Sequence, residues 1–159
     1  MNDRLRICLA IVAAVASLPA SAGIALNPDV RQDTIARTIC APGYVDSIRP
    51  PASYTDNIKR KLLKQSKIDA ARAKEYELNY TVPLDLGGHP RSLDNLQLRP
   101  LSGPDGIRRK ASVEVKLQCL VCSGRVPLAE AQKAIYGDWQ GTYGHYYRVK
   151  CRSRSESDE

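Results

Sequence analysis

The chain has 159 residues and a formal net charge of +7 at pH 7, a size that suits one domain with a modest core. After residue 22 no apolar run approaches the roughly 20 residues of a membrane-spanning helix, which excludes a multi-span membrane protein. The positive charge favours polyanionic partners such as nucleic acid or an anionic envelope surface. A charge of this size is also ordinary for a small soluble domain, so charge alone decides little.

Residues 1–22 have the pattern of an export signal. Arg4 and Arg6 precede an apolar run at residues 7–18, and small residues follow at positions 20–22. The run is shorter than the roughly 20 residues that a spanning helix needs, so we expect a cleaved signal peptide, with an N-terminal anchor as the alternative. Cleavage removes two basic residues and one acidic residue, leaving 22 basic and 16 acidic residues and a net charge of +6. The expected location is the periplasm or the outside of the cell.

Four cysteines remain after cleavage, and they are Cys40, Cys119, Cys122 and Cys151. An even number in an exported chain predicts disulfides, and four cysteines allow three pairings among which the residues alone do not choose. A redox pair at Cys119 and Cys122 is disfavoured, because these residues end a predicted helix whereas a helix N-terminus stabilises a reactive thiolate. A zinc site would need two further ligands and is disfavoured in an oxidising compartment.

Two short elements are predicted before the first long helix. Apolar residues at helical spacing predict a helix from Asp29 that ends at Pro42 and Gly43. Residues 45–51 are predicted to be extended, because prolines stand at positions 50 and 51 and the residue before a proline avoids helical geometry.

A strongly basic helix is predicted to follow. Ser53 and Asp56 have the spacing of a capping box, and Ile58, Leu62 and Leu63 form an apolar stripe. Basic residues surround the stripe, among them Lys59, Arg60 and Lys64. They are candidates for contacts with a phosphate backbone, although a solvated helix face is the commoner origin of such a charge run.

The central stretch, residues 76–100, is predicted to form a strand, a loop and a second strand. The first apolar run covers residues 76–86 and the second covers residues 96–98. Gly87 and Gly88 mark the turn that separates them.

Two helices are predicted after the strands. The first runs from Arg108 to about Cys122, and the second begins at Pro127 and is weakened in the middle by Gly137. Residues 152–159 contain no apolar residue and are predicted to be a disordered polar tail.

Several segments of the chain resemble one protein family. They are NPDV, TICAPGY and IRPPASYT upstream, YELNYTVPLDLGG and DNLQLRP in the central stretch, and LVCSG and LAEAQKAIYGDW towards the end. Together they resemble the secreted bacterial branch of the HNH endonuclease family, over nearly all of the chain after residue 22. The resemblance implies an α+β fold at residues 23–151, a small and mostly helical domain built around a ββα hairpin-helix unit and held by disulfides. Because Cys40 and Cys122 both lie in matching segments, it also implies a Cys40–Cys122 bridge, which leaves Cys119 to pair with Cys151.

The resemblance assigns roles to three residues of the hairpin. In the family the ββα unit grips one divalent metal, and a histidine at the end of the first strand acts as general base on water for attack on a phosphodiester. That position is Tyr80 here, and the acidic position before it is Asn79. The loop asparagine that holds the hairpin through backbone hydrogen bonds is retained as Asn95.

The helix after the hairpin keeps only part of the family pattern. Where the family has lysine and aspartate, then glutamate, then asparagine or histidine, this chain has Lys110, Ala111, Glu114 and Val115. A tyrosine, with an ordinary pKa of about 10, is a poor general base at neutral pH, and losing a positioned base lowers rates by about two to four orders of magnitude. Neither Ala111 nor Val115 offers a ligand atom. These changes predict an inactive enzyme without a metal cofactor.

Other residues are poor substitutes for the missing base. His89 in the turn and His145 near the end are both predicted to be surface residues. Glu77 is two residues from Asn79, so on a strand it shares a face with Asn79 and not with Tyr80.

Three functions are compatible with these residues. The leading hypothesis is an exported HNH endonuclease-like protein that no longer cleaves and that binds DNA, RNA, another polyanion or a protein partner. For nucleic acid, the candidate contacts are Lys59, Arg60, Lys64, Arg108 and Arg109. The second is an active nuclease that uses a non-standard base with a divalent metal, Mg²⁺ or Zn²⁺. The third is an envelope interaction protein with no nucleic-acid role. No membrane span is expected after signal cleavage.

Overall fold

A computed structural model describes residues 23–151 of the chain. The predicted signal segment and the predicted polar tail at 152–159 lie outside the described residues. The helices and strands are, in chain order, α1 (Tyr44–Ile48), α2 (Ala52–Gln65), β1 (Tyr76–Tyr80), β2 (Leu96–Pro100), α3 (Ile107–Cys122), α4 (Leu128–Tyr136) and α5 (Trp139–Tyr147). They confirm the coarse prediction of a mostly helical domain with one small sheet. No helix within residues 23–151 is long and apolar enough to cross a membrane.

The sheet is a two-stranded antiparallel hairpin of β1 and β2. Its register pairs Tyr76 with Pro100 at one end and Tyr80 with Leu96 at the other. Two strands alone are only marginally stable in water, and here α2 packs against both of them. The hairpin is therefore held by its neighbours as well as by its own ladder.

The prediction that the first strand continues to residue 86 is wrong. The strand ends at Tyr80, and the chain then forms a loop with a buried 3₁₀ turn at Leu84–Leu86. The backbone N–H groups of Thr81 and Val82 both donate to Asn95, at 2.8 Å each, and Pro83 has no N–H to offer a ladder. This part of the apolar run can be buried as a loop because Asn95 accepts the hydrogen bonds of its backbone N–H groups.

The hydrophobic core lies among the three C-terminal helices and the loop that follows β1. Its most buried members are Val82, Leu86, Val113, Leu117, Val121, Ala131, Ile135 and Trp139. Helix α3 contacts both α4 and α5. The predicted helix from Arg108 to Cys122 is confirmed to within one residue.

Two disulfides attach the N-terminal segment and the last described residue to α3. Cys40 bonds to Cys122 across 82 positions, and Cys119 bonds to Cys151 across 32 positions. This is the pairing that the family resemblance implied, and two disulfides are consistent with an exported protein.

The N-terminal part differs from the prediction. Instead of a helix from Asp29 there are turns with a short 3₁₀ segment at Ile35–Arg37. The Thr34 hydroxyl donates to the backbone oxygen of Asp29 at 2.7 Å and accepts from the N–H of Arg31 at 2.8 Å. Such side-chain bonds compete with the helical ladder, so the segment turns instead of coiling.

Residues 45–51 were predicted to be extended, and this is wrong for their first part. Gly43 adopts a left-handed conformation (φ 76°) and starts the short helix α1. The chain becomes extended only at Arg49, directly before the first proline.

Two helix ends also differ from the prediction. Helix α2 begins at Ala52 after Pro51 and has no side-chain cap, so Ser53 is not the capping residue. The helix predicted from Pro127 is two helices, because the chain turns at Gly137 and the Asp138 carboxylate accepts from the N–H of Gly141 at 2.9 Å, capping α5.

Candidate functional site

Asn95 holds the loop between the two strands. Its side chain is buried; Oδ1 accepts from the N–H of Val82 at 2.8 Å, and Nδ2 donates to the backbone oxygens of Val82 at 2.9 Å and His89 at 3.1 Å. The loop is packed so tightly that a Cβ on Gly88 would lie 1.8 Å from the Val82 oxygen. Asn95 makes the backbone hydrogen bonds that the resemblance implied for it.

Tyr80, at the end of β1, is half-buried and its hydroxyl is engaged. The hydroxyl donates to the backbone oxygen of Pro90 at 3.3 Å. Burial raises the pKa of the Tyr80 phenol, and the charges of Arg49 and Arg91 offset this only in part. A phenol with a raised pKa stays protonated at neutral pH and is not poised to take a proton from water.

Asn79 lies on the opposite face of β1 from Tyr80, because neighbouring side chains on a strand alternate. It stands across from Gln97 on β2. Asn79 Oδ1 and Gln97 Nε2 are both buried, and neither has a hydrogen-bond partner within the described part of the chain. The position where the family has an acidic residue therefore holds a neutral amide whose buried oxygen has no hydrogen-bond partner within residues 23–151.

Lys110 and Glu114 form an ion pair within α3, beside the end of β1. The Lys110 side chain is fully buried, and its Nζ donates to the backbone oxygen of Tyr80 at 2.8 Å and to Glu114 Oε1 at 2.5 Å. Burial lowers the pKa of the Lys110 ammonium, and the charge of Glu114 acts in the opposite direction. The candidate Glu114 carboxylate is thus already bound to a cation of the same helix.

The donor atoms near the hairpin do not fit the divalent metal that the family implies. Within residues 23–151 no group of three His, Cys, Asp or Glu side chains could hold a metal ion. The Glu114 carboxylate is paired with Lys110 and lies close enough to Arg99 for its charge to raise the pKa of that guanidinium, although burial lowers it overall. With Asn79, Ala111 and Val115 at the other family positions, Glu114 is the one carboxylate left there, fewer than the several oxygen ligands that a divalent metal takes. Val115 points to solvent, with 63% of its surface exposed.

His89 is partly buried and not the exposed turn residue that was predicted. Its Nδ1 accepts from the N–H groups of Arg91 at 3.1 Å and Ser92 at 3.0 Å, so the ring shapes the turn. Glu77 forms a salt bridge with Lys59, with 3.0 Å between Oε1 and Nζ. Both residues have structural partners that explain their positions. His145 is exposed on α5, as predicted.

The candidate nucleic-acid contacts lie on two helices. Arg60 and Lys64 are exposed on α2, whereas Lys59 is largely taken up by Glu77. Arg108 and Arg109 are exposed in the first turn of α3. The basic residues of α2 and those of α3 therefore form two groups that are far apart in the sequence.

Sequence reasoning missed an aromatic pair beside the α3 arginines. The guanidinium of Arg109 lies 4.2 Å from the ring centroid of Tyr143, and Tyr143 stacks on Tyr147 with centroids 5.3 Å apart. The contact between Tyr143 and Tyr147 could have been predicted from the sequence, because tyrosines four positions apart on a helix share a face. In this segment His145 was assigned a position, as a surface residue, and no contact with the α3 arginines was predicted.

Comparison of the chain with protein-family models, curated proteins and solved structures found no match. The HNH resemblance therefore stays a prediction that rests on the motif residues.

Proposed function

We propose that the chain is an exported HNH endonuclease-like protein that does not cleave phosphodiester bonds and that binds nucleic acid or a similar polyanion. The observation that carries the loss of cleavage is Tyr80 at the family's general-base position, because its hydroxyl donates to the backbone oxygen of Pro90 and burial raises the pKa of its phenol. Ala111 and Val115, where the family has metal-facing polar residues, offer no ligand atom.

Tyr80, Asn79 and Asn95 are suited to holding the fold of the hairpin and not to activating water. Hydrolysis needs a base whose pKa lies near the working pH. Tyr80 has a raised pKa, and Asn79 has no acidic group to hold a metal. The Asn95 network, in contrast, keeps the loop folded without any catalytic group.

The polyanion part of the proposal is supported by Arg108 and Arg109. They stand at the positive end of α3, where a cation opposes the helix dipole and costs about 0.3–1 kcal/mol. No acidic residue lies in this turn, and neither arginine forms a salt bridge within the described residues. Two exposed cations held at an unfavourable position are well explained by contact with phosphate.

A nuclease assay tests the proposal. The protein purified after export is incubated with single-stranded and duplex DNA and with RNA, in Mg²⁺, in Zn²⁺ and with a chelator. The expected result is binding in a gel-shift experiment at low salt and no cleavage under any condition. Metal-dependent cleavage that a chelator abolishes would instead support an active nuclease with a non-standard base. Absence of binding to every nucleic acid at low salt would support an envelope interaction protein.

A further inference from the structure

Three side chains form a layered stack on the surface between α3 and α5. The Arg109 guanidinium lies over the Tyr143 ring, and the Tyr147 ring stacks on Tyr143 with the two planes 23° apart. We call Arg109, Tyr143 and Tyr147 the α3–α5 platform. Tyr147 is its outer layer and is 58% exposed. One aromatic face of the platform is therefore open to a further flat group.

The platform is fixed to the body of the protein at both ends of α5. Trp139, the first residue of α5, is buried, and the Arg99 guanidinium lies 5.3 Å from its ring centroid. Beyond the other end of α5, Cys151 is bonded to Cys119 of α3. Tyr146 is buried next to the exposed Tyr147. The exposed ring thus belongs to an anchored helix and is pre-organised for contact.

Exposed basic residues lie next to the platform residues along the chain. Arg108 and Arg109 are exposed at the start of α3, and Arg148 and Lys150 are exposed directly after Tyr147. The Asp105 carboxylate, just before α3 in the sequence, already accepts a hydrogen bond from Gln140 Nε2 at 2.6 Å. The platform therefore combines an open aromatic face with cations that have no carboxylate partner among the described residues.

Single-stranded nucleic acid carries the two kinds of group that would complement this surface, namely aromatic bases and phosphates. Its unpaired bases present flat faces that stack on aromatic side chains, and its phosphates pair with arginine and lysine. Bases inside a duplex are stacked on one another and do not offer these faces. An acidic peptide would satisfy the cations but would leave the ring uncovered.

We propose that the α3–α5 platform binds single-stranded nucleic acid by stacking a base on Tyr147 while Arg108, Arg109 and Arg148 contact the flanking phosphates. This inference rests on the polyanion binding proposed above and names its substrate class. Because every base has an aromatic face, the platform is expected to bind with little sequence preference.

The test measures the affinity of the full exported protein for three labelled probes: an oligothymidine, an oligouridine and a DNA duplex of the same length. The Tyr147→Ala variant removes the open ring, Tyr147→Phe keeps it, and Tyr136→Ala removes a comparably exposed tyrosine from α4. Tyr147→Ala is expected to weaken binding of the single strands roughly five- to 150-fold, while Tyr147→Phe and Tyr136→Ala leave it nearly unchanged. Thermal melting followed by circular dichroism shows whether each variant remains folded.

The outcomes separate the two proposals. Salt-dependent binding that Tyr147→Ala leaves unchanged would overturn the proposal that the platform binds single strands, and would leave polyanion binding intact. Binding of the duplex as tightly as the single strands would have the same meaning. Absence of binding to all three probes would overturn both. Loss of affinity in Tyr147→Ala for either single strand supports binding at the platform. The probe that the parent protein binds more tightly, oligothymidine or oligouridine, identifies DNA or RNA as the ligand.

Discussion

Asn95 is the residue on which the hairpin loop most depends. Replacing it with alanine leaves the buried N–H and C=O of Val82 without partners, and each unsatisfied group costs about 1–3 kcal/mol. Asn95→Ala is therefore expected to lower the free energy of unfolding by about 2–4 kcal/mol in urea denaturation. Asn57→Ala, on the exposed surface of α2, is the matched control and should have little effect. Equal losses in the two variants would contradict the role given to Asn95.

Lys110 gives a prediction that depends on pH. Burial lowers its pKa from an ordinary value of 10.5, so between the lowered value and 10.5 the unfolded chain binds more protons than the folded chain. The contribution of Lys110 to the free energy of unfolding therefore rises with pH in that window. At neutral pH, Lys110→Met removes the donor that Tyr80 and Glu114 share and should cost about 1–3 kcal/mol.

The measurement is urea unfolding of the parent and of Lys110→Met at a series of pH values up to about 10.5. The difference in stability is expected to increase in favour of the parent as the pH rises. Lys64→Met, which changes an exposed lysine on α2, should show no such trend. A difference that stays constant or shrinks towards high pH would show that the Lys110 pKa is not lowered.

At the scale of secondary-structure elements, the two disulfides hold different lengths of chain to α3. In the chain-entropy model a bridge stabilises more when it closes a longer loop. Removing Cys40–Cys122, which spans 82 positions, should therefore cost about 0.8 kcal/mol more than removing Cys119–Cys151, which spans 32. Urea unfolding of the Cys40→Ser/Cys122→Ser and Cys119→Ser/Cys151→Ser variants measures the difference. A larger loss for the shorter loop would mean that contacts at the end of α5 outweigh loop entropy.

Elements with a regular apolar pattern could be predicted from the sequence, and elements set by polar side chains could not. Helix α3 was predicted closely because its apolar residues repeat at helical spacing up to Ser123. The helix expected from Asp29 fails because the Thr34 hydroxyl bonds to nearby backbone, which apolar spacing does not reveal.

Some features of the candidate site could likewise be predicted from the sequence, and others could not. The position of Asn95 was predicted from the motif, and its backbone bonds follow from the loop it closes. The Lys110–Glu114 pair is a simple i, i+4 spacing, but its burial against the Tyr80 carbonyl depends on how α3 packs on the hairpin. The stack of Arg109 on Tyr143 likewise joins two helices and has no local pattern that reveals it.

For the whole molecule, phosphate binding predicts a specific dependence on salt. For single strands, log K falls against log salt with a slope of about −0.7 for each phosphate that is neutralised. Arg108→Gln with Arg109→Gln should therefore make the slope shallower by about 1.4. Arg31→Gln with Arg37→Gln makes the same change in net charge outside the first turn of α3 and should leave the slope nearly unaltered. Equal changes in the two double variants would mean that net charge, and not the α3 arginines, sets the binding.

We propose, as the central point, that the hairpin is HNH-like and that its catalytic positions have been lost. The most direct test places the family residues back into it through Asn79→Asp, Tyr80→His, Ala111→Asp and Val115→Asn, and compares the rate of Mg²⁺- or Zn²⁺-dependent DNA cleavage with that of the parent protein. The account predicts no cleavage by the parent and metal-dependent cleavage by the fourfold variant. Cleavage by the parent that a chelator abolishes, at a rate equal to or above that of the variant, would contradict it.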